Sequence, residues 1–381
     1  MRRTEHGQNT GGIGRNAGRN GVIPLTFRDV LPIILALSRS FWWELLMVES
    51  LIRFAVLGVG RIGGIHARNI ARLPGAELAI VSDVDERAAN AIAAELGART
   101  ASIDEAVGAA DIDAVVICTP TDTHADLIDK AAAAGKAIFC EKPIDLDAAR
   151  IRRSLGGVAA RGVPLMIGFN RRFDPSFQAL QTRLRAGEIG AVEIVTILSR
   201  DPAPPPVEYI KRSGGLFRDM MIHDLDMARF LLREEPVSVY ATASALVDPA
   251  IGAAGDVDTA VCVLRTASGR IAQISNSRRA AYGYDQRIEV HGTLGLLAAG
   301  NRTATTVTAA GASGFTTDPA LPFFLERYAE AYRAEMASFI EALKGGTRPS
   351  PSGEDGLRAQ ILADAATESA ASGVPVVLPP S

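Results

Sequence analysis

Lysine is nearly missing from this 381-residue chain: only Lys130, Lys136, Lys142, Lys211 and Lys344 occur, and arginine fills most basic positions. A lysine beside a functional motif is therefore worth following. Cysteine is as scarce. Cys118, Cys140 and Cys262 lie far apart with no CxxC pair, which argues against a disulfide framework or a zinc site and suits small buried hydrophobes in a reducing compartment. A basic field is lacking too. The net charge is −3 and the pI near 6.0, so nothing draws the chain to nucleic acid. No His/Cys/Asp group has metal-ligand spacing, so no metal is expected. Long apolar runs are also missing. Leu31–Leu37 is too short to span a bilayer, and Arg39 and Glu44 interrupt its continuation.

What is present fits a packed protein of about two domains: 48% of residues are hydrophobic and 22% charged. Residues 1–46 stand apart. The first twenty are rich in Gly, Asn and Arg without periodicity and are expected to be disordered. Residues 30–46 are apolar and hold both tryptophans, Trp42 and Trp43, but no signal-peptide cleavage pattern follows them. The preferred expectation is that translation starts at Met47, just before the first strand. An interfacial helix is the alternative.

From Arg53 the pattern is α/β. Arg53–Leu57 reads as a buried strand running into Gly58-Val59-Gly60-Arg61-Ile62-Gly63 and then a helix to about Leu73. In this setting Gly58 permits the tight turn, Gly60 lets a pyrophosphate approach the backbone, and Gly63 lets helix and strand pack closely. The helix N-terminus presents free N–H groups to phosphate. A second strand, Glu77–Ser82, ends at Asp83, twenty residues past Gly63. A carboxylate there accepts hydrogen bonds from a ribose 2′-hydroxyl and repels a 2′-phosphate, which favours NAD over NADP. The plainer reading of Asp83 is a cap for the helix that follows. Asp113–Cys118 is a third strand, ending in Thr119-Pro120-Thr121-Asp122-Thr123-His124. Thr119, Pro120, Thr121 and His124 are candidates for the cofactor crevice, although Thr121 or Asp122 serves equally as a helix N-cap and His124 suits packing within that helix. The strand Ala137–Cys140 leads into Glu141-Lys142-Pro143. Lys142 thus sits at the C-terminal end of a parallel strand, where a cation can position a hydroxyl and carry protons. A helix, Leu146–Arg161, and the strand Pro164–Phe169 complete a Rossmann domain over 51–170.

Gly214–Leu232 is predicted to be one helix. On it Asp219 and His223 are four apart, which places carboxylate and imidazole one turn apart on one face. A neighbouring carboxylate raises histidine basicity and fixes the ring, an arrangement suited to taking a proton from an alcohol. The plainer reading is a surface ion pair, but the upstream fingerprint supplies a reason for a base. Val192–Ser199, Val237–Val247, Thr259–Thr266, Arg270–Asn276, Gln286–His291 and Thr303–Val307 follow as strands without alternating helices. This predicts an α+β domain over 171–381 with an open, mainly antiparallel sheet. One face covers the active site. The other needs a partner, most simply another subunit, so a homo-oligomer (dimer or tetramer) is expected. Tyr284 follows Gly283, which suggests a close backbone approach there. Two helices, about Leu325–Leu343 and Gly353–Ala371, end the chain.

Several segments together resemble the glucose–fructose oxidoreductase and inositol dehydrogenase family, and in combination its inositol 2-dehydrogenase branch. They are the Gly58–Gly63 loop, Cys140-Glu141-Lys142-Pro143, Gly168-Phe169-Asn170-Arg171-Arg172-Phe173-Asp174, Ile222-His223-Asp224-Leu225-Asp226-Met227 and Tyr282-Gly283-Tyr284-Asp285-Gln286. The resemblance implies a cytoplasmic NAD-dependent enzyme that oxidises a cyclic polyol, with Lys142, Asp219 and His223 as its catalytic set. It also implies a sugar pocket lined by Asn170, Arg171, Asp201 and Tyr284. NAD-dependent glycosidases and non-catalytic NAD or sugar sensors share the fold. An intact Lys–Asp–His set argues against a sensor, which has no need of a base.

Overall fold

The computed structural model describes residues 51–379, and the expectations for residues 1–46 lie outside them. β1 (Ile52–Leu57) is the centre of the first sheet because its Phe54–Leu57 run is apolar on both faces and fully buried. It joins β2 (Ala76–Ser82), β3 (Arg99–Thr100), β4 (Ala114–Ile117), β5 (Ala137–Glu141) and β6 (Leu165–Gly168) in the order β3-β2-β1-β4-β5-β6, all parallel. The order reverses direction between β1 and β4, which opens a crevice at the carboxyl ends of these strands. β3 and the short helix Ile103–Gly108 are absent from the sequence reading. β3 is two exposed residues at a sheet edge, without periodicity to betray it. The helix is held by a capping box between Ser102 and Glu105, not by a long apolar stripe.

The second sheet runs β12-β11-β7-β10-β9-β8-β15. Its members are β7 (Val192–Arg200), β8 (Pro236–Ser244), β9 (Thr259–Thr266), β10 (Ile271–Ser277), β11 (Asp285–Gly292), β12 (Gly295–Ala299) and β15 (Val376–Val377). All neighbours are antiparallel except β7 and β10. The inward face packs on the Ile222–Leu232 and Gly353–Ser372 helices. Thr303–Val307 is not a strand. Its β-branched residues suggest one, but the segment is largely exposed, and pairing occurs next to it in the hairpin of β13 (Thr308–Gly311) and β14 (Gly314–Thr317). No helix among the described residues is long and apolar enough to cross a membrane.

The predicted Gly214–Leu232 helix is present from Gly215 to Leu232, but it is not uniform. A short helix Val207–Ser213 stops at Gly214, whose φ is +85°. Gly215 is left-handed as well, at φ +81°, and a wide π-turn over Phe217–Met221 precedes the regular helix Ile222–Leu232. Apolar periodicity alone does not register these two glycines as a stop, nor the widened turn.

The first and last thirds of the second region are tied through Asp174. Its Oδ1 caps the Pro175–Arg185 helix by accepting from Ser176 and Phe177 N–H, and its Oδ2 pairs with the fully buried Arg327. Arg327 also lies over the Phe177 and Tyr328 rings. Asp174→Ala leaves that guanidinium buried without a counter-charge. The substitution should lower stability by about 3–5 kcal/mol in urea unfolding; a loss under about 1 kcal/mol would mean that Arg327 is satisfied without it.

Candidate active site

The cofactor loop is shaped by glycines with no room for a side chain. A Cβ on Gly58, whose φ is +82°, would meet the Cys118 and Thr119 backbone at 2.8 Å, and one on Gly63 would meet Gly58 O at 1.8 Å. Gly60 is different, since a Cβ there meets nothing within 4 Å. It stands before the Arg61–Ile70 helix, and no side chain caps that helix. Open space in front of uncapped N–H groups is a cradle for phosphate. Arg61 is exposed, 5.7 Å from the Phe323 ring centroid, and Ile62 is half-buried behind it.

Asp83 stands beside this loop. Its Oδ2 accepts from Val59 N at 2.6 Å and its Oδ1 from Asp85 N at 2.9 Å. Each oxygen keeps a lone pair for ribose hydroxyls. The helix that follows is capped by Asp85, not Asp83, which removes the plainer reading. These features fit a dinucleotide without a 2′-phosphate.

Thr119, Pro120 and Thr121 lie at the end of β4, across the crevice. The Thr119 and Thr123 hydroxyl oxygens are 2.6 Å apart. Neither Thr121 nor Asp122 caps the next helix; they form a tight turn, and Thr123 occupies the cap position without a capping bond from its side chain, whose hydroxyl donates to Pro120 O instead. His124 is buried, with Nε2 2.7 Å from Thr119 O and Nδ1 2.8 Å from Pro143 O. Burial pushes its pKa down, so the neutral ring donates to one carbonyl at a time and links the ends of β4 and β5.

Glu141 turns away from its neighbour Lys142, as alternate strand residues do. It meets His66 Nε2 at 2.8 Å, with the buried Glu335 3.9 Å from the same nitrogen. Sequence spacing does not foresee this His66–Glu141–Glu335 group, whose members are as much as 269 residues apart in the chain. Its members could ligate a cation, but His66 Nε2 is engaged and buried Nδ1 has no partner to orient the ring as a metal ligand. Burial and then the charge of Glu141 push Glu335 well above the carboxylate range, so the pair holds a proton.

Lys142 Nζ donates to the Asp219 backbone O at 2.7 Å and lies 3.4 Å from Asp219 Oδ1. Tyr209, from the Val207–Ser213 helix, donates to the same Oδ1 at 3.0 Å, and Arg278 Nη2 lies 3.5 Å from Oδ2. Tyr209 and Arg278 were not foreseen. Both approach Asp219 through tertiary contacts; Arg278 lies in the Asn276–Gln286 run that carries the family resemblance, but nothing in the sequence gives it a partner. Asp219 and His223 are close in sequence, but no hydrogen bond joins them. Asp219 is engaged instead by Lys142, Tyr209 and Arg278. His223 is half-buried, its Nδ1 has no partner, and the Phe169 ring stands edge-on 6.1 Å away. The expected rise in its basicity is therefore reversed. Burial, then Lys142, then Arg171 hold it well below the ordinary histidine value, so it is a neutral proton acceptor at neutral pH.

Beneath His223 lies its neighbour Asp224, fully buried and also missed. It pairs with Arg171 and accepts from Asn276 Nδ2 at 2.8 Å and Gln286 Nε2 at 3.2 Å, while Ser199 Oγ lies 2.7 Å away. Arg171 also donates to Ser199 Oγ and to Tyr284 O–H, at 3.2 and 3.4 Å. Its guanidinium is thus committed to the floor of the site. Asn170 is buried in the same Asn170–Phe173 turn. Tyr284 is buried, edge-on to Tyr328, and the close approach at Gly283 is to the chain itself: a Cβ there would meet Ala320 O at 3.0 Å. Asp201 is pushed up to about 6 by burial, although Arg278 and Arg171 pull the other way.

Comparison with known proteins identifies the family. Residues 52–169 match the model of an oxidoreductase family with an NAD-binding Rossmann fold, and residues 177–298 match the GFO/IDH/MocA C-terminal domain. The chain is 58% identical over 320 residues to an inositol 2-dehydrogenase of Rhizobium meliloti (strain 1021), covering 84% of this chain and 97% of that protein. A solved myo-inositol dehydrogenase from Corynebacterium glutamicum superposes with a TM-score of 0.84 at 45% identity, over 87% of this chain and all of that one. A scyllo-inositol dehydrogenase from Lactobacillus casei, solved with NAD(H) and scyllo-inositol, gives 0.81 at 31% identity, over 86% and 99% of the two chains. Both halves of the fold match the family's two domain models, and the chain belongs to the GFO/IDH/MocA family of NAD-dependent oxidoreductases.

Proposed function

We propose that this protein oxidises myo-inositol at its carbon-2 hydroxyl to 2-keto-myo-inositol (scyllo-inosose). The observation that carries this is Lys142, Asp219 and His223 gathered beyond β5, at the carboxyl end of the parallel sheet. NAD, when bound, supplies the hydride acceptor. His223 takes the hydroxyl proton, since burial and the nearby cations keep its ring neutral. Lys142 holds the same oxygen and is itself oriented by Asp219. Asp201, Asn170, Tyr284 and Tyr209 are the polar groups proposed for the remaining hydroxyls, and Arg171 stiffens their floor. Scyllo-inositol is the second reading, supported by the likeness to the Lactobacillus casei enzyme solved with that polyol.

The same reading makes the protein cytoplasmic, where its three free cysteines stay reduced. It is also a homo-oligomer, a dimer or tetramer. The outward face of the second sheet exposes Ile194, Tyr240, Val261, Ile271 and Leu296, a surface suited to a second copy.

NADH absorbance with purified protein and a panel of myo-inositol, scyllo-inositol, chiro-inositol and glucose tests the activity. Strong NADH formation with myo-inositol is expected, and a flat trace with NAD bound would overturn the reading. His223→Ala and Lys142→Ala should each lose at least about 100-fold in kcat while NAD binding persists; near-normal turnover removes that residue from its role. Because the pKa of His223 is lowered, its acceptor form survives acidification. The acid limb of kcat/KM is therefore expected below about 6.5, and a limb above that value contradicts the neutral-base assignment. Light scattering at micromolar protein should give a dimer or larger assembly; a monodisperse monomer counts against the sheet interface.

A further inference from the structure

Asp219 faces two cations, and the proposed mechanism uses only Lys142. The other, Arg278, follows β10 directly, and its backbone N–H donates to Asp258 O at 2.8 Å. Its side chain is only 1% exposed. Nη2 lies 3.5 Å from Asp219 Oδ2 and 3.9 Å from Asp256 Oδ2, yet neither Nη2 nor Nε has a hydrogen-bond partner. Burying a guanidinium with donors unused is costly. Here it is surrounded by the carboxylates of Asp201, Asp219 and Asp256, with the Tyr209 phenol beside Asp219, Lys142 across it, and Arg171 and His223 beyond.

Asp256 has a second task. Its Oδ1 accepts from Leu216 N at 3.0 Å, and a Cβ on Gly215 would stand 2.5 Å from that same oxygen. It thereby clamps the turn from which the Phe217–Met221 segment and Asp219 emerge. Asp256 Oδ2, buried and unpartnered, is left to Arg278.

We infer that Arg278 is a positioning residue for the oxidation: it bridges Asp219 to Asp256 and so fixes the Asp219 carboxylate against Lys142. It is too buried to touch substrate and acts through Asp219. Its charge also opposes the burial that pushes Asp201 up. Without it Asp201, already at about 6 from burial, moves further up, because one of the two cations opposing that shift is gone.

The inference rests on the oxidoreductase reading, so its test has a kinetic and a structural arm. In the first, Arg278→Gln and Arg278→Lys are compared with the wild type across pH. Arg278→Gln should lose about 100-fold in kcat while the KM for NAD stays within about twofold. The acid limb of its kcat/KM should move up by about one pH unit, and Arg278→Lys should recover much of both. In the second arm, a crystal structure of Arg278→Gln should show Asp219 Oδ1 more than about 4 Å from Lys142 Nζ. If Arg278→Gln does not fold, Asp256→Asn, which removes the other end of the bridge, should lose turnover in the same way with the KM for NAD within about twofold, but its acid limb should not move up, because a negative charge and not a cation has been removed. Turnover within about threefold of wild type, or lost turnover with an unmoved acid limb in Arg278→Gln, overturns the inference and leaves Arg278 a packing residue. If the wild type oxidises no polyol, the function falls, and the Asp219–Lys142 distance in the variant still decides the role of Arg278.

Discussion

A carboxylate sealed from water must be answered by donors, and Asp224 is where this protein meets that demand. It sits on the Ile222–Leu232 helix with no exposed surface, and its partners come from four other places: Arg171 after β6, Ser199 on β7, Asn276 on β10 and Gln286 on β11. Each donor is fixed by its own strand or turn. The helix therefore has one depth and one rotation against the second sheet. His223, the preceding residue, is placed by the same restraint.

Above this floor the charges alternate. Arg171 and Asp224 form the buried layer, and Lys142 and Arg278 face Asp201, Asp219 and Asp256 in the next. His223 lies between, nearer in effect to the cations, and so stays neutral. A base kept neutral by its surroundings needs no separate deprotonation before it accepts the alcohol proton. Asp219 does not raise the basicity of the histidine; it orients the lysine.

The cofactor half works by exclusion. Gly58 and Gly63 touch so closely that no side chain fits, which brings the Arg61–Ile70 helix onto β1 and points its N–H groups into the crevice. Asp83 braces the loop by accepting from Val59 N and Asp85 N. The second region reaches back across the loop, with Phe323 under the Arg61 guanidinium, so the two halves meet at the phosphate cradle.

Much of this was legible along the chain. The strand–glycine loop–helix order, the Asp83 spacing and the parallel strands depend on local geometry and on period-two or 3.6-residue burial, which a sequence displays directly. That Lys142 belongs with Asp219 and His223 was legible through resemblance only, and the resemblance set Asp219 beside His223, whereas the structure pairs it with Lys142. The rest depended on contacts between residues far apart. The π-turn that carries Asp219 has no apolar signature. Arg278, Tyr209, Asp256 and Asp224 sit in no motif read from the chain as charge partners, and Glu335 meets Glu141 across 194 positions. Local periodicity determined the cofactor half and the strand-rich second half of this protein. Only the tertiary structure decided which charges face each other, because a pKa and a salt bridge are set by distance and burial in space, and neither is a property of neighbours in sequence.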